Sequence, residues 1–164
     1  MYAIGDTAFY GTNGICTIKD IQEKQFQGES QLYYVLESNV YPALVLYHPV
    51  HTENSKLQKI IPQQLAEEII SVFSQSPGEW NERHAVRMQL FKSTIDTRDH
   101  LKIAQLLNTI LRKQQELKAM DKKLNQQDMQ MAQQISTILY DELALVLNMS
   151  KVEVANKIDT LIQQ

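Results

Sequence analysis

Residues 61–73 read IPQQLAEEIISVF, and inside this stretch the chain changes period. Leu65, Ile69, Val72 and Phe73 fall at i, i+4, i+7 and i+8, the spacing of one helical face. Glu67 and Glu68 take the opposite side. Pro62 suits the first turn of a helix, where its missing N–H costs nothing. Before this point the sequence alternates and turns; beyond it every periodic segment reads as helix. Runs of strands followed by runs of helices predict an α+β chain of two domains, 1–60 and 61–164.

Working upstream, residues 1–60 hold short strand-like runs between turn signals. Gly5-Asp6 is a turn pair, and Gly11-Thr12-Asn13-Gly14 is a hairpin signal, since Asn-Gly tolerates positive φ. From Ile15 the residues alternate, with Cys16, Ile18 and Asp20 sharing one face. Phe26-Gln27-Gly28-Glu29 is the next turn, and Leu32, Tyr33, Tyr34, Val35 and Leu36 form a strand by composition. Residues 39–42 break that strand, and residues 43–47 resume it. Turns every 8–12 residues predict a small antiparallel barrel.

Downstream, four more helices are expected. One starts at Glu79, carries Trp80, Val86, Leu90 and Phe91, and ends near Ser93. The next, from about Asp99 to Met120, presents Ile103, Leu107, Ile110 and Leu117. Asn125 with Asp128 three residues on resembles a capping box, with Asp where Glu or Gln is usual. It opens a helix with Ala132, Ile135, Leu139, Leu143 and Val146 on one face. Ser150 with Glu153 is a full capping box before a last helix with Val154, Ile158 and Leu161 inward. The helical domain is thus a compact unit of about five helices.

The formal net charge is −3, but the charge is unevenly placed. Residues 80–123 carry a net +5, while the segments on either side are acidic. This cationic stretch opens with the chain's one tryptophan, Trp80, followed by Arg83, His84, Arg87 and Lys92. A lone Trp among spaced cations has two readings. It is a core residue beneath a solvated basic face, or it stacks on a base or wedges between base steps while the cations hold phosphates. On the second reading Arg83, Arg87, Lys92 and a few neighbours would neutralise about three to five phosphates.

Catalysis finds little support. Cys16 lies in a strand and reads as a buried structural thiol. His48 and His51 flank Pro49 without zinc-ligand spacing. None of the five glycines forms a phosphate-binding loop. Asp141 and Glu142 read as surface charge on an amphipathic helix, so no enzyme and no cofactor is expected. A single cysteine excludes an intrachain disulfide and fits a reducing compartment. The N-terminal ten residues do not read as a secretory signal, and no apolar run approaches the ~18 residues of a membrane span. A cytoplasmic protein without membrane contact is expected.

The ordered set of residues resembles a known family. Residues 5–10, GDTAFY, then Asn13-Gly14, Gly28-Glu29 and Tyr33-Tyr34-Val35-Leu36 are similar to the N-terminal module of the CarD/CdnL bacterial transcription regulators. Trp80 with Arg83 is similar to the family's Trp-x-x-Arg. Residues 139–145, LYDELAL, resemble its Leu-x-x-Glu-Leu-Ala helix. The resemblance implies a Tudor-like barrel that binds the RNA polymerase β subunit. It also implies a helical domain that binds promoter DNA at the upstream edge of the bubble without reading sequence. There the Trp wedges into the minor groove and stabilises the open complex. On this resemblance Trp80, Arg83, Arg87 and Lys92 face DNA. Lys24 stands where the family places a polymerase-facing Arg, and Tyr47 or His48 stands where a second is expected. A monomer is expected.

The sequence departs from the family pattern at several points. Gly11-Thr12 replaces a Pro-containing turn, and Asn13 replaces the turn His. Lys24 keeps a charge but loses the bidentate fork of Arg. The start of the helix after Asn125, usually basic, carries neutral Met129, Gln130 and Gln134. An adaptor that keeps the barrel but has lost or weakened DNA binding is therefore the rival reading.

Overall fold

The computed structural model describes residues 1–10, 13–39, 41–53 and 55–164. The chain divides into two units, Met1–Ile61 and Pro62–Gln164.

In the first unit the alternating apolar residues build five strands: β1 Thr7–Tyr10, β2 Ile15–Phe26, β3 Glu29–Ser38, β4 Val45–Pro49 and β5 Leu57–Lys59. The sheet is antiparallel in the order β4-β3-β2-β1-β5. Gln27 and Gly28 join β2 to β3, both with positive φ (53° and 88°), as a type I′ two-residue turn requires. Gly28 adopts this at no steric cost. Gly14 also has positive φ, and its carbonyl accepts from the Tyr10 N–H; the Gly11-Thr12 half of that expected hairpin lies outside the described residues. So does Val40, within the break expected over residues 39–42.

Ala8, Cys16, Ile18, Tyr34, Leu36 and Leu57 form the core, with Tyr2, Tyr10, Ile21, Leu46 and Val50 packed against it. The expected grouping of Asp20 with Cys16 and Ile18 fails, because a register shift lies between Ile18 and Asp20. An extra residue there reverses the side-chain alternation. Asp20 now opposes Val35, and Ile21 opposes core residue Tyr34. The carboxylate of Asp20 instead accepts from the Ile21 N–H and the Gln22 amide.

The expected barrel is not closed. β4 and β5 are the two edges of the sheet. β5 has only three residues, all matched to β1. Near these edges the contacts are made by side chains: His48 Nε2 lies 2.9 Å from Ser55 Oγ, and Tyr10 meets the His48 ring edge-on.

The second unit holds α1 Gln63–Val72, α2 His84–Asp96, α3 His100–Ala119, α4 Gln126–Val146 and α5 Lys151–Ile162. α3 packs against each of the other four. Its buried Leu107 and Ile110 join Ile69 and Phe73 of the α1 end, Leu139 and Leu143 of α4, and Val154 and Ile158 of α5 as fully buried side chains. Fully burying an aliphatic side chain of this size contributes about 1.5–3 kcal/mol. The Ser150–Glu153 capping box forms, with each side chain meeting the other's backbone N–H. In α5 Val154, Ile158 and Ile162 are buried, with Leu161 half-buried.

Helix ends in this unit are closed by polar groups of α3. Arg112 donates to the Phe73 carbonyl at 2.9 Å and to the Ile162 carbonyl at 3.2 Å, which are the ends of α1 and α5. Asn108 donates to the Gln75 carbonyl, and Thr109 Oγ1 accepts from the Gly78 N–H at 2.8 Å. These carbonyls lie where a helix runs out of its own donors. Gly78 matters for the last contact, since a Cβ there would lie 3.1 Å from the hydroxyl.

Glu142 is a correction to the surface-charge reading. It is 1% exposed, and one carboxylate oxygen lies 2.8 Å from His100 Nε2. Asp141 pairs with Lys151. The bond to Glu142 raises the His100 pKa above its ordinary value, with burial pulling the other way and the charges of Glu142 and Asp99 adding to the rise. The folded value therefore lies above the unfolded one of about 6.5. The pair's contribution is fully present below pH 6.5 and is lost as pH rises through the folded value. Melting curves should show His100→Gln well below wild type at pH 6, with the gap narrowing toward pH 9. A gap of constant size would remove the imidazolium from the account.

Candidate functional sites on the sheet and on the helical unit

Lys24 and Tyr47, far apart in sequence, meet in the first unit. β2 and β4 flank β3, and Lys24 Nζ stands 3.4 Å from the centroid of the Tyr47 ring. A cation over a ring face at an exposed site contributes about 0.5–1 kcal/mol. Tyr47 is 46% exposed, and Val45, two residues earlier on the same face of β4, is exposed as well. The strand alternation separates the two neighbours considered at this position. Tyr47 faces outward, whereas His48 is buried, with its pKa lowered by desolvation and then by the nearby Lys56 charge. Cys16 is buried, which pushes its thiol pKa up and disfavours the reactive thiolate.

In the second unit the segment before α2 departs from expectation. Residues 79–83 are not helical, and α2 begins only at His84 with Arg83 as its cap. Asn81 explains the break: its side-chain oxygen accepts from the Arg83 N–H at 2.9 Å, a local turn that competes with helix. Trp80 thus lies on an irregular segment rather than on a helix face, and it is half-buried.

Arg87 is placed differently from a surface cation. It is 7% exposed. Its Nε and Nη2 meet the two oxygens of Asp128 at 3.2 and 2.7 Å, and its Nη1 donates to the carbonyls of Asn81 and Glu82 at 2.9 and 3.1 Å. The guanidinium carbon stands 4.6 Å from the Trp80 ring centroid. Lys113 Nζ lies 5.9 Å from the same centroid. Arg87 is therefore not free to reach phosphate.

Asp128 corrects the expected capping box at Asn125. Asn125 caps α4 by accepting from the Gln127 N–H, but Asp128 is 0% exposed and serves Arg87. His84 adds a further tie, with its Nε2 hydrogen-bonded to the Gln127 side chain. Arg83 and Lys92 are exposed. Lys92 lies about 140° around α2 from Arg87, at 100° per residue. The structure so brings together Trp80 and Arg87, with Arg83 close in sequence and Lys92 on another face.

An open cleft of about 340 Å³ lies beside Trp80, walled by Arg87, Leu90, Phe91 and Leu106, with Lys102 at the rim. Lys102 and Asp128 escaped the sequence reading. Nothing local marks Lys102, while the one signal for Asp128 was an Asp where a capping box favours Glu or Gln. Among the described residues no group of three or more His, Cys, Asp or Glu could hold a metal ion, and no helix is long and apolar enough to cross a membrane.

Two family models match the chain. The CarD-like/TRCF RID domain matches residues 2–61, and the CarD C-terminal domain matches residues 68–159. No curated protein matches the chain. The two matches follow one another in the order of the two units and cover most of the sequence. The chain belongs to the CarD-like family, a class of non-enzymatic transcription factors that interact with RNA polymerase.

Proposed function

We propose that the protein docks on the RNA polymerase β subunit through its sheet and holds promoter DNA with its helical unit as a cytoplasmic monomer. Trp80 enters the upstream edge of the bubble and slows its collapse. The observation that carries this reading is the state of Trp80. It is partly exposed on a short irregular segment that hydrogen bonds from Arg87 hold in place. A large ring held this way can enter an unstacked base step without first ordering its own backbone. The family membership supplies the polymerase context.

On the sheet, the docking residues are Lys24 and Tyr47. Their ring–ammonium contact gives a long flexible side chain a fixed position before binding. Lys24→Glu in the full chain should weaken binding to the β subunit about tenfold, ~1.4 kcal/mol, mainly through a slower association rate. Unchanged association kinetics would remove Lys24 from the interface.

On the helical unit, Trp80→Ala should shorten open-complex lifetime about tenfold, a loss of ~1.4 kcal/mol. It should cost less stability than the 3–5 kcal/mol of a core aromatic, because the ring is only half-buried. A core-sized stability loss with unaltered decay of the promoter complex would overturn the wedge.

The adaptor reading keeps one specific observation in its favour. Arg87 lies inside, and the first turn of α4 gives Asp128 to it, so fewer cations remain for phosphate. With Arg83, Lys92 and Lys102 as the phosphate contacts, the last leaving an exposed pair with Asp99, log affinity for duplex against log salt should fall with a slope of about −2 to −3. A flat slope, or no binding at low salt, would establish the adaptor instead.

A further inference from the structure

We propose that Asp128 is a positioning residue for Trp80, acting through Arg87. The functional half of this inference rests on the wedge reading above; the structural half does not. Asp128 sits in the first turn of α4, and Trp80 sits ahead of α2. What links them is the planar fork of Arg87. One edge of the guanidinium is held by both Asp128 oxygens, so its plane cannot rotate. The remaining nitrogen, Nη1, holds the carbonyls of Asn81 and Glu82, the two residues that follow Trp80. The carbon of the same group stands 4.6 Å from the Trp80 ring centroid. One buried carboxylate thus sets the plane of a group that fixes both the backbone after Trp80 and the position of its ring.

The chemistry of the pair favours this role over simple cohesion. A buried ion pair often stabilises no more than apolar residues of equal volume. Cohesion alone therefore gives little reason for charge at these two positions. A bidentate guanidinium does what an apolar pair cannot: it orders a segment that lacks a ladder of its own. This also gives the first turn of α4, which carries no cation, a use. In place of cations aimed at DNA it carries Asp128 and Gln127, which bond to Arg87 and His84 of α2.

Trp80 is the one tryptophan of the chain, so its fluorescence reports on this site alone. In Asp128→Asn, acrylamide quenching of Trp80 should rise at least twofold and emission should shift to the red. Open-complex lifetime should shorten toward that of Trp80→Ala. Adding Asp128→Asn to Trp80→Ala should then shorten it no further, because a residue that works only through Trp80 has no effect once Trp80 is gone. Should Asp128→Asn fail to fold, the paired replacement Arg87→Met with Asp128→Leu keeps the volume apolar and gives the same three readings. Wild-type quenching in whichever variant folds would overturn the proposal, as would lifetime losses that simply add. If Trp80→Ala leaves the lifetime unaltered, the wedge reading fails, and the quenching result still decides the positioning.

Discussion

A guanidinium and a carboxylate that leave water together lose several kcal/mol of hydration each, and their attraction offsets this only when every remaining donor finds a partner. Arg87 and Asp128 meet that condition in a particular way. The donors left over after the carboxylate is satisfied go to Asn81 and Glu82. Those carbonyls belong to a stretch with neither helix nor strand, where backbone groups otherwise depend on water. The ion pair and the irregular segment therefore require each other. Loosening either would leave buried polar groups without partners, and the join between α2 and α4 would loosen with them.

The same logic runs through α3. Its apolar stripe supplies the core, but its polar residues complete other elements. Thr109 holds Gly78, Asn108 holds Gln75, and Arg112 holds the last carbonyls of α1 and α5. His100 at its start meets buried Glu142. A helix this rich in buried polar groups would be a poor core element alone. Here each group meets a backbone end or charge that burial would otherwise leave unpaired.

The architecture was legible where periodicity is local. Leu65 to Phe73, the Ala132 to Leu143 stripe and the Ser150 box all report structure within a few residues of themselves. What escaped has long-range causes. The register shift after Ile18 is set by the partner strand, not by the alternation of β2. The open sheet is decided by which strands pair, with β4 and β5 left as edges, and composition does not state that. At the candidate site Trp80 stood out by chemical type, whereas Lys24 and Tyr47 were marked only by the resemblance to the family pattern. Arg87 and Asp128 misled for one reason: each has an ordinary surface role nearby, and the partner that overrides it lies 41 residues away.

The double grip of Arg112 on Phe73 and Ile162 has a consequence for the order of events during synthesis. α1 emerges from the ribosome first and α5 last of the five helices, yet one side chain in α3 closes the ends of both. Until α5 has been made, Arg112 has only part of its final set of acceptors. The helical unit then has no stable stopping point short of its last helix. The Arg112 bonds span 39 and 50 residues, which favours completing the unit as a single cooperative step after the whole segment is available. The sheet unit can begin earlier, since its long β2–β3 hairpin closes through a two-residue turn, and it is completed when β5 pairs with β1.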